Sequence, residues 1–214
     1  MSADDLTLAE LLCARLCHDL AGAVGAAAAG AELLEDGFAD TETIQLVAAS
    51  AGGAAARLKF LRAAFGPATQ SQPTEALRDL VAAHLASSAP APALEWRVAA
   101  ATLPPDAARL LLNLVLVARD ALPKGGRVAV SDNGAGQLTV AAYGAPAQLA
   151  DEARIVLVDG GAAQGPRGGQ AHLVRLLAQR STGGLAVAAS GGAVEFRALP
   201  RPVGNSHPDG QGSF

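Results

Sequence analysis

The sequence predicts an α+β protein: an N-terminal helical hairpin that a second copy would complete into a dimeric four-helix bundle, followed by a C-terminal α/β sandwich. Three observations carry this. Two long stretches near the N-terminus repeat Leu and Ala at helical spacing with no proline inside them. A polar, proline-bounded segment, GPATQSQP, follows them over 66–73. Beyond it the apolar residues pass repeatedly between helical spacing and strict alternation, the mark of helices interleaved with strands.

The first helix is expected from about Asp5 to Glu35, with Asp4 or Asp5 capping its start and Gly37 supplying the left-handed residue at its end. The second fits 40–65, capped by Asp40 or Thr41 and stopped at Gly66-Pro67, with Ile44, Val47, Ala51, Leu58, Leu61 and Phe65 as an apolar stripe. A connection this short makes the two helices antiparallel. Neither can cover its stripe on the other alone, so homodimerisation is expected, with packing against the rest of the chain as the competing solution.

After the linker come a helix at 74–87, a strand at 94–99, and an apolar helix opened by Pro104-Pro105-Asp106 and running to about Leu122. Two alternating runs within 125–144 surround a Gly-rich turn, a helix follows at 168–180, and 184–189 with 193–199 form a closing hairpin. The piece 149–160 is ambiguous, since four consecutive apolar residues suggest a strand while Asp151-Glu152 and Gly160-Gly161 are helix-end signals; a short helix is the preferred reading. The domains are thus expected over 1–66 and 74–200, with a linker at 67–73 and a flexible tail at 201–214.

Composition narrows the function. Half of the residues are hydrophobic, enough for a substantial core, and 16 Lys and Arg stand against 20 Asp and Glu with no basic run, which argues against nucleic acid as a partner. Cys13 and Cys17 fall on one helix face, where they read as reduced, packed thiols. No run of eighteen apolar residues occurs and the N-terminus is acidic, so no membrane association and a cytoplasmic location are expected. No His, Cys, Asp or Glu cluster has the spacing of a metal site.

One residue suggests chemistry. If the seam of the first helix is Cys13, Leu16, Leu20, Ala23 and Ala27, His18 lies opposite, facing solvent. Around it on that face are Ala14, Ala21, Gly22, Gly25 and Ala29, all very small. Two glycines within a helix cost on the order of 1 kcal/mol each relative to alanine, which suggests that another molecule approaches the backbone there. An exposed imidazole free of bulk is what in-line attack on phosphorus requires, and Asp19 beside it can orient the ring or take its proton. Arg15, a turn earlier, reads either as a phosphate or acidic-rim partner or as an ordinary solvated charge. On this face alone, His18 also remains a plain surface histidine.

The order of elements resembles the dimerisation and phosphotransfer module of sensor histidine kinases followed by their ATPase-like (Bergerat) domain. LLLNLVLVARDAL, 110–122, is similar to the kinase N-box with Asn113 at its first asparagine, and 168–200 resembles the second glycine box, helix and terminal hairpin. Two departures stand out. The second N-box asparagine, which would hold the magnesium of ATP, is Val117, and where the adenine-binding Asp-x-Gly-x-Gly belongs the chain reads Tyr143-Gly144-Ala145-Pro146. Asp132-Asn133-Gly134-Ala135-Gly136 spells that motif but lies between two alternating strands, where a hairpin turn is expected.

A degenerate ATPase-like domain beside an intact histidine helix resembles the ChpT-type histidine phosphotransferases of alphaproteobacteria. Arg15-Leu16-Cys17-His18-Asp19, Leu33-Leu34-Glu35-Asp36 and Arg62-Ala63-Ala64-Phe65-Gly66 are the stretches that carry the likeness. The resemblance implies a homodimer that takes a phosphoryl group from the receiver domain of a CckA-like hybrid kinase onto His18. It would pass the group to regulators such as CtrA-like and CpdR-like proteins. No cofactor is expected in this chain, the Mg2+ belonging to the partner receiver, and Arg167 with neighbouring polar residues is a possible second docking surface. Two alternatives stand beside this reading: an ATP-dependent sensor kinase core, and a non-catalytic dimeric adaptor.

Overall fold

The structure is a computed structural model that describes residues 3–38, 40–67, 69–134 and 137–200. The expected tail at 201–214 lies outside the described residues. Helix α1 spans Ala3–Glu35 and α2 spans Thr41–Phe65. Because α1 already begins at Ala3, Asp4 and Asp5 occupy its first turn, where their charge complements the helix dipole, and neither is the cap. Gly37 takes φ +93° at the helix end, as a left-handed terminator does. Asp40 caps α2, its Oδ1 accepting the Thr43 amide at 2.7 Å. The two helices approach so closely that a Cβ on Gly30 would lie 2.6 Å from Val47 Cγ2.

The linker is shorter than its composition suggested. Its last residues, Gln72–Pro73 (β1), pair antiparallel with Thr102–Leu103 (β3), a ladder too short to show as alternation. Between them lie α3 (Thr74–Ala86) and β2 (Ala93–Arg97). There follow α4 (Pro105–Asp120), β4 (Arg127–Asp132), β5 (Leu138–Tyr143), α5 (Asp151–Leu157), α6 (Gly165–Ser181), β6 (Gly184–Ser190) and β7 (Ala193–Leu199). The ambiguous piece is therefore helix α5.

The main sheet runs β2-β4-β5-β7-β6, with β2 and β4 parallel and every other neighbour antiparallel. Its register puts Val130 opposite Val140 and Val140 opposite Phe196. These side chains are fully buried beneath α4, whose Leu110, Leu111, Leu114 and Val115 are equally inaccessible. The opposite sheet face carries Glu95, Arg127, Glu195 and Arg197, so the domain is a two-layer sandwich with one wetted face.

The apolar stripe of α2 divides. Of its residues Leu61 is buried against the C-terminal domain, joined there by Phe60 and Ala64 from outside the expected stripe, whereas Ile44 and Leu58 are about half exposed. By length and composition α1 could cross a membrane. Its middle, however, carries a buried ion pair to the C-terminal domain, and Leu11 packs so tightly on α6 that a Cβ on Gly169 would lie 2.6 Å from Leu11 Cβ.

Candidate functional site

His18 projects from α1 with 74% of its side chain exposed. The expected small-residue face is present: Ala14, Ala21, Gly22, Gly25 and Ala29 are all exposed, and a Cβ on Gly22 or Gly25 would meet nothing within 4 Å. The chain's own packing therefore does not require either glycine. The seam is partly different from that expected, for Leu16, Leu20, Ala23 and Ala27 are half-buried but Cys13 and Cys17 are exposed free thiols. They lie on the stripe with Leu6 and Val24, which α2 does not cover, and this corrects the reading of packed cysteines.

Asp19 faces the histidine, with Oδ1 3.3 Å from His18 Nδ1. A ring bonded this way carries its proton on Nδ1 and presents Nε2, with its lone pair, to solvent. The second oxygen of Asp19 accepts from Arg15 Nε at 2.9 Å. Arg15 departs most from expectation. It is only 2% exposed, and its Nη1 donates to Asp120 Oδ2 at 2.6 Å, so it is neither a solvated charge nor free to meet a phosphate. Helical periodicity places Arg15 on the face turned toward the C-terminal domain, where a guanidinium survives only if paired.

Asp120, the last residue of α4, was not recognised from the sequence. Its carboxylate also meets Arg119 Nη1 at 3.0 Å and Arg167 Nε at 3.4 Å. Burial alone would raise the Asp120 carboxyl, but the charge and hydrogen bond of Arg15, with Arg119 and Arg167 adding to them, hold it below the usual range. Desolvation likewise opposes the charged form of Arg15, and the two carboxylates overcome it. The available sequence signal was an Arg-Asp pair closing an otherwise strongly apolar helix. Arg167, expected only as a docking guess, has 46% of its side chain exposed at the edge of this network.

The two residues likened to the kinase N-box are occupied by packing. Asn113 is fully buried and donates from Nδ2 to Ala64 O at 2.8 Å and Arg109 O at 2.9 Å, tying α4 to α2. Val117 is buried in the same helix. Asp132 serves the hairpin: Oδ2 accepts the Ala99 and Ala100 amides, each at 3.1 Å, and Oδ1 accepts Gly134 N at 3.1 Å. Ala135 and Gly136 of that motif lie outside the described residues. Tyr143 is 36% exposed and lies under the Arg127 guanidinium, 4.6 Å from ring centroid to Cζ. Among the described residues no cluster of His, Cys, Asp and Glu is arranged to hold a metal.

An exposed histidine held by a carboxylate on a helical hairpin, joined to an α/β sandwich, is the arrangement of a phosphotransfer protein. Residues 74–193 match the family described as histidine phosphotransferase C-terminal domain. The chain belongs to this family, and to its ChpT-type members. It is 39% identical over 136 residues to the protein phosphotransferase ChpT of Brucella abortus (strain 2308), a match covering 58% of this chain and 60% of that protein's length. Among solved structures, one described as a bacterial phosphotransferase superimposes with a TM-score of 0.80 at 30% identity, over 92% of this chain and 97% of that one.

Proposed function

We propose that the protein is a homodimeric, cytoplasmic histidine phosphotransferase that relays a phosphoryl group through His18 between the receiver domain of a CckA-like hybrid kinase and downstream CtrA-like and CpdR-like regulators. The observation that carries this reading is the geometry at His18, an outward Nε2 on a face stripped of bulk, with Nδ1 held by Asp19.

The lone pair of Nε2 attacks the phosphorus of a receiver aspartyl phosphate. The P–N bond forms as the P–O bond breaks, and the aspartate carboxylate leaves with the electron pair. The ring gains positive charge, which Asp19 offsets through Nδ1–H. Reversal onto a second receiver returns the same imidazole. The Mg2+ that neutralises the phosphoryl oxygens belongs to the receiver, so this chain's task is to present His18 at the right angle. ATP has no part in the reading, because Val117 offers no oxygen to a metal and no aspartate stands at Tyr143-Gly144 for the adenine.

Dimerisation is supported by apolar residues that the fold leaves uncovered: Leu6 and Val24 on one stripe of α1, and Ile44 and Leu58 on one stripe of α2. The deciding experiment mixes the protein with receiver domain carrying labelled aspartyl phosphate. Acid-labile, base-stable label is expected on the wild type and none on His18→Ala. Label surviving His18→Ala, or appearing from ATP alone, overturns the assignment.

A further inference from the structure

We infer that Asp120, a residue of the C-terminal domain, is a positioning residue for His18, acting through Arg15 and Asp19. The inference rests on the phosphotransfer reading above and adds to it the question of what sets the tautomer and direction of the ring.

An aspartate beside an exposed helical histidine is ordinarily free to change rotamer, and a 3.3 Å contact to Nδ1 would then be one of several arrangements. Here Asp19 is held from behind. One of its oxygens is bound by Arg15 Nε at 2.9 Å, which leaves the other directed at the ring. Arg15 is in turn fixed at its far end by Asp120 Oδ2 at 2.6 Å. Asp120 ends α4, the most thoroughly buried helix of the described fold, so the series runs from a rigid core to an exposed ring. Behind the ring the side chains are withdrawn from solvent, with 74% exposure at His18, 13% at Asp19, 3% at Arg15 and 8% at Asp120.

Burying an arginine and an aspartate gives no clear gain in stability over apolar side chains of similar size. It does provide direction. A guanidinium is planar and its donors are fixed relative to one another, so holding one end against Asp120 dictates where the other end holds Asp19. Neutral imidazole in water favours the proton on Nε2, the nitrogen that must attack. The series reverses that preference by placing an acceptor at Nδ1.

The test uses the full chain with 15N-labelled histidine. In the wild type the His18 ring is expected to show the Nδ1–H tautomer. In Asp120→Asn and in Arg15→Lys it is expected to return largely to Nε2–H. Arg15→Lys keeps the charge but lacks the planar guanidinium whose fixed donors direct Asp19 from Asp120, so it guards against a folding defect in Asp120→Asn. Single-turnover transfer from a phosphorylated receiver should fall about tenfold in both variants, with the half-saturating receiver concentration unchanged. A merely structural role would leave the tautomer as it is. The inference is overturned if the folded variants keep the Nδ1–H signature or the wild-type rate, or if the wild type itself shows Nε2–H. Failure of wild-type transfer would instead count against the His18 reading, while the tautomer measurement would still decide the role of Asp120.

Discussion

The amide nitrogen of Asn113 lies 2.8 Å from the carbonyl oxygen of Ala64, and both residues are fully buried. The asparagine likened in sequence to the first of the kinase N-box is thus engaged in holding the second hairpin helix against the sandwich. Asn113→Ala would strand that carbonyl, and a loss of about 1–3 kcal/mol in denaturant unfolding is expected. Transfer from a phosphorylated receiver should persist in the fraction that remains folded. Introducing Val117→Asn should not create measurable ATP affinity by calorimetry, because the neighbouring amide is already committed.

The glycines beside His18 allow a separation of stability from function. Since a Cβ on Gly22 or Gly25 meets open space, Gly22→Ala and Gly25→Ala should each stabilise the chain by up to about 1 kcal/mol, visible as a raised melting temperature. Gly25→Leu should fold as well as the wild type, yet transfer from the receiver should drop at least tenfold through weaker docking. Unchanged transfer would show that nothing approaches this face closely.

A pair of substitutions on α2 tests the assembly. Ile44→Asp with Leu58→Asp places charges on side chains already half exposed, so the hairpin should still fold. Sedimentation is expected to show the 21.3 kDa monomer in place of a dimer.

His84 should make the fold acid-sensitive. Its ring stacks on Phe60 with centroids 4.0 Å apart, both ring nitrogens lack partners among the described residues, and it is 5% exposed. Burial, followed by the nearby charges of Arg119 and Arg57, pushes its pKa down from 6.5 to about 4. The unfolded chain therefore takes up a proton as pH falls below 6.5 while the folded chain does not. Stability should decline from there until about pH 4, by about 3 kcal/mol in all, and stay level with respect to this group below that. In His84→Phe this part of the pH dependence should vanish from urea unfolding curves.

Much of the architecture could be read directly because each long element carries its own periodicity. Both hairpin helices, α4, α6 and the closing strands lie within a few residues of expectation, and the Asp40 cap and the Gly37 terminator are local rules obeyed locally. The exposed face around His18 followed from the helical wheel in the same way. What escaped was set by tertiary packing. Arg15 has no local feature that distinguishes a buried guanidinium from a solvated one; that depends on α4 ending beside it with Asp120. Cys13 and Cys17 look like core residues by type, but the stripe they occupy is left uncovered by the described residues. The β1–β3 ladder is too short to have a period.

That small ladder has a mechanical meaning. Gln72–Pro73 is stitched to Thr102–Leu103, Gly169 admits Leu11 onto α6, and Arg15 clasps Asp120. With the bond from Asn113 to Ala64, hairpin, linker and sandwich are held together at several separate places. A catalytic domain that carried its own phosphoryl donor would have to travel to the histidine and retreat again. On the proposed reading nothing needs to travel, and the sandwich would serve as a fixed cheek beside His18, so that the moving part of the relay would be the visiting receiver.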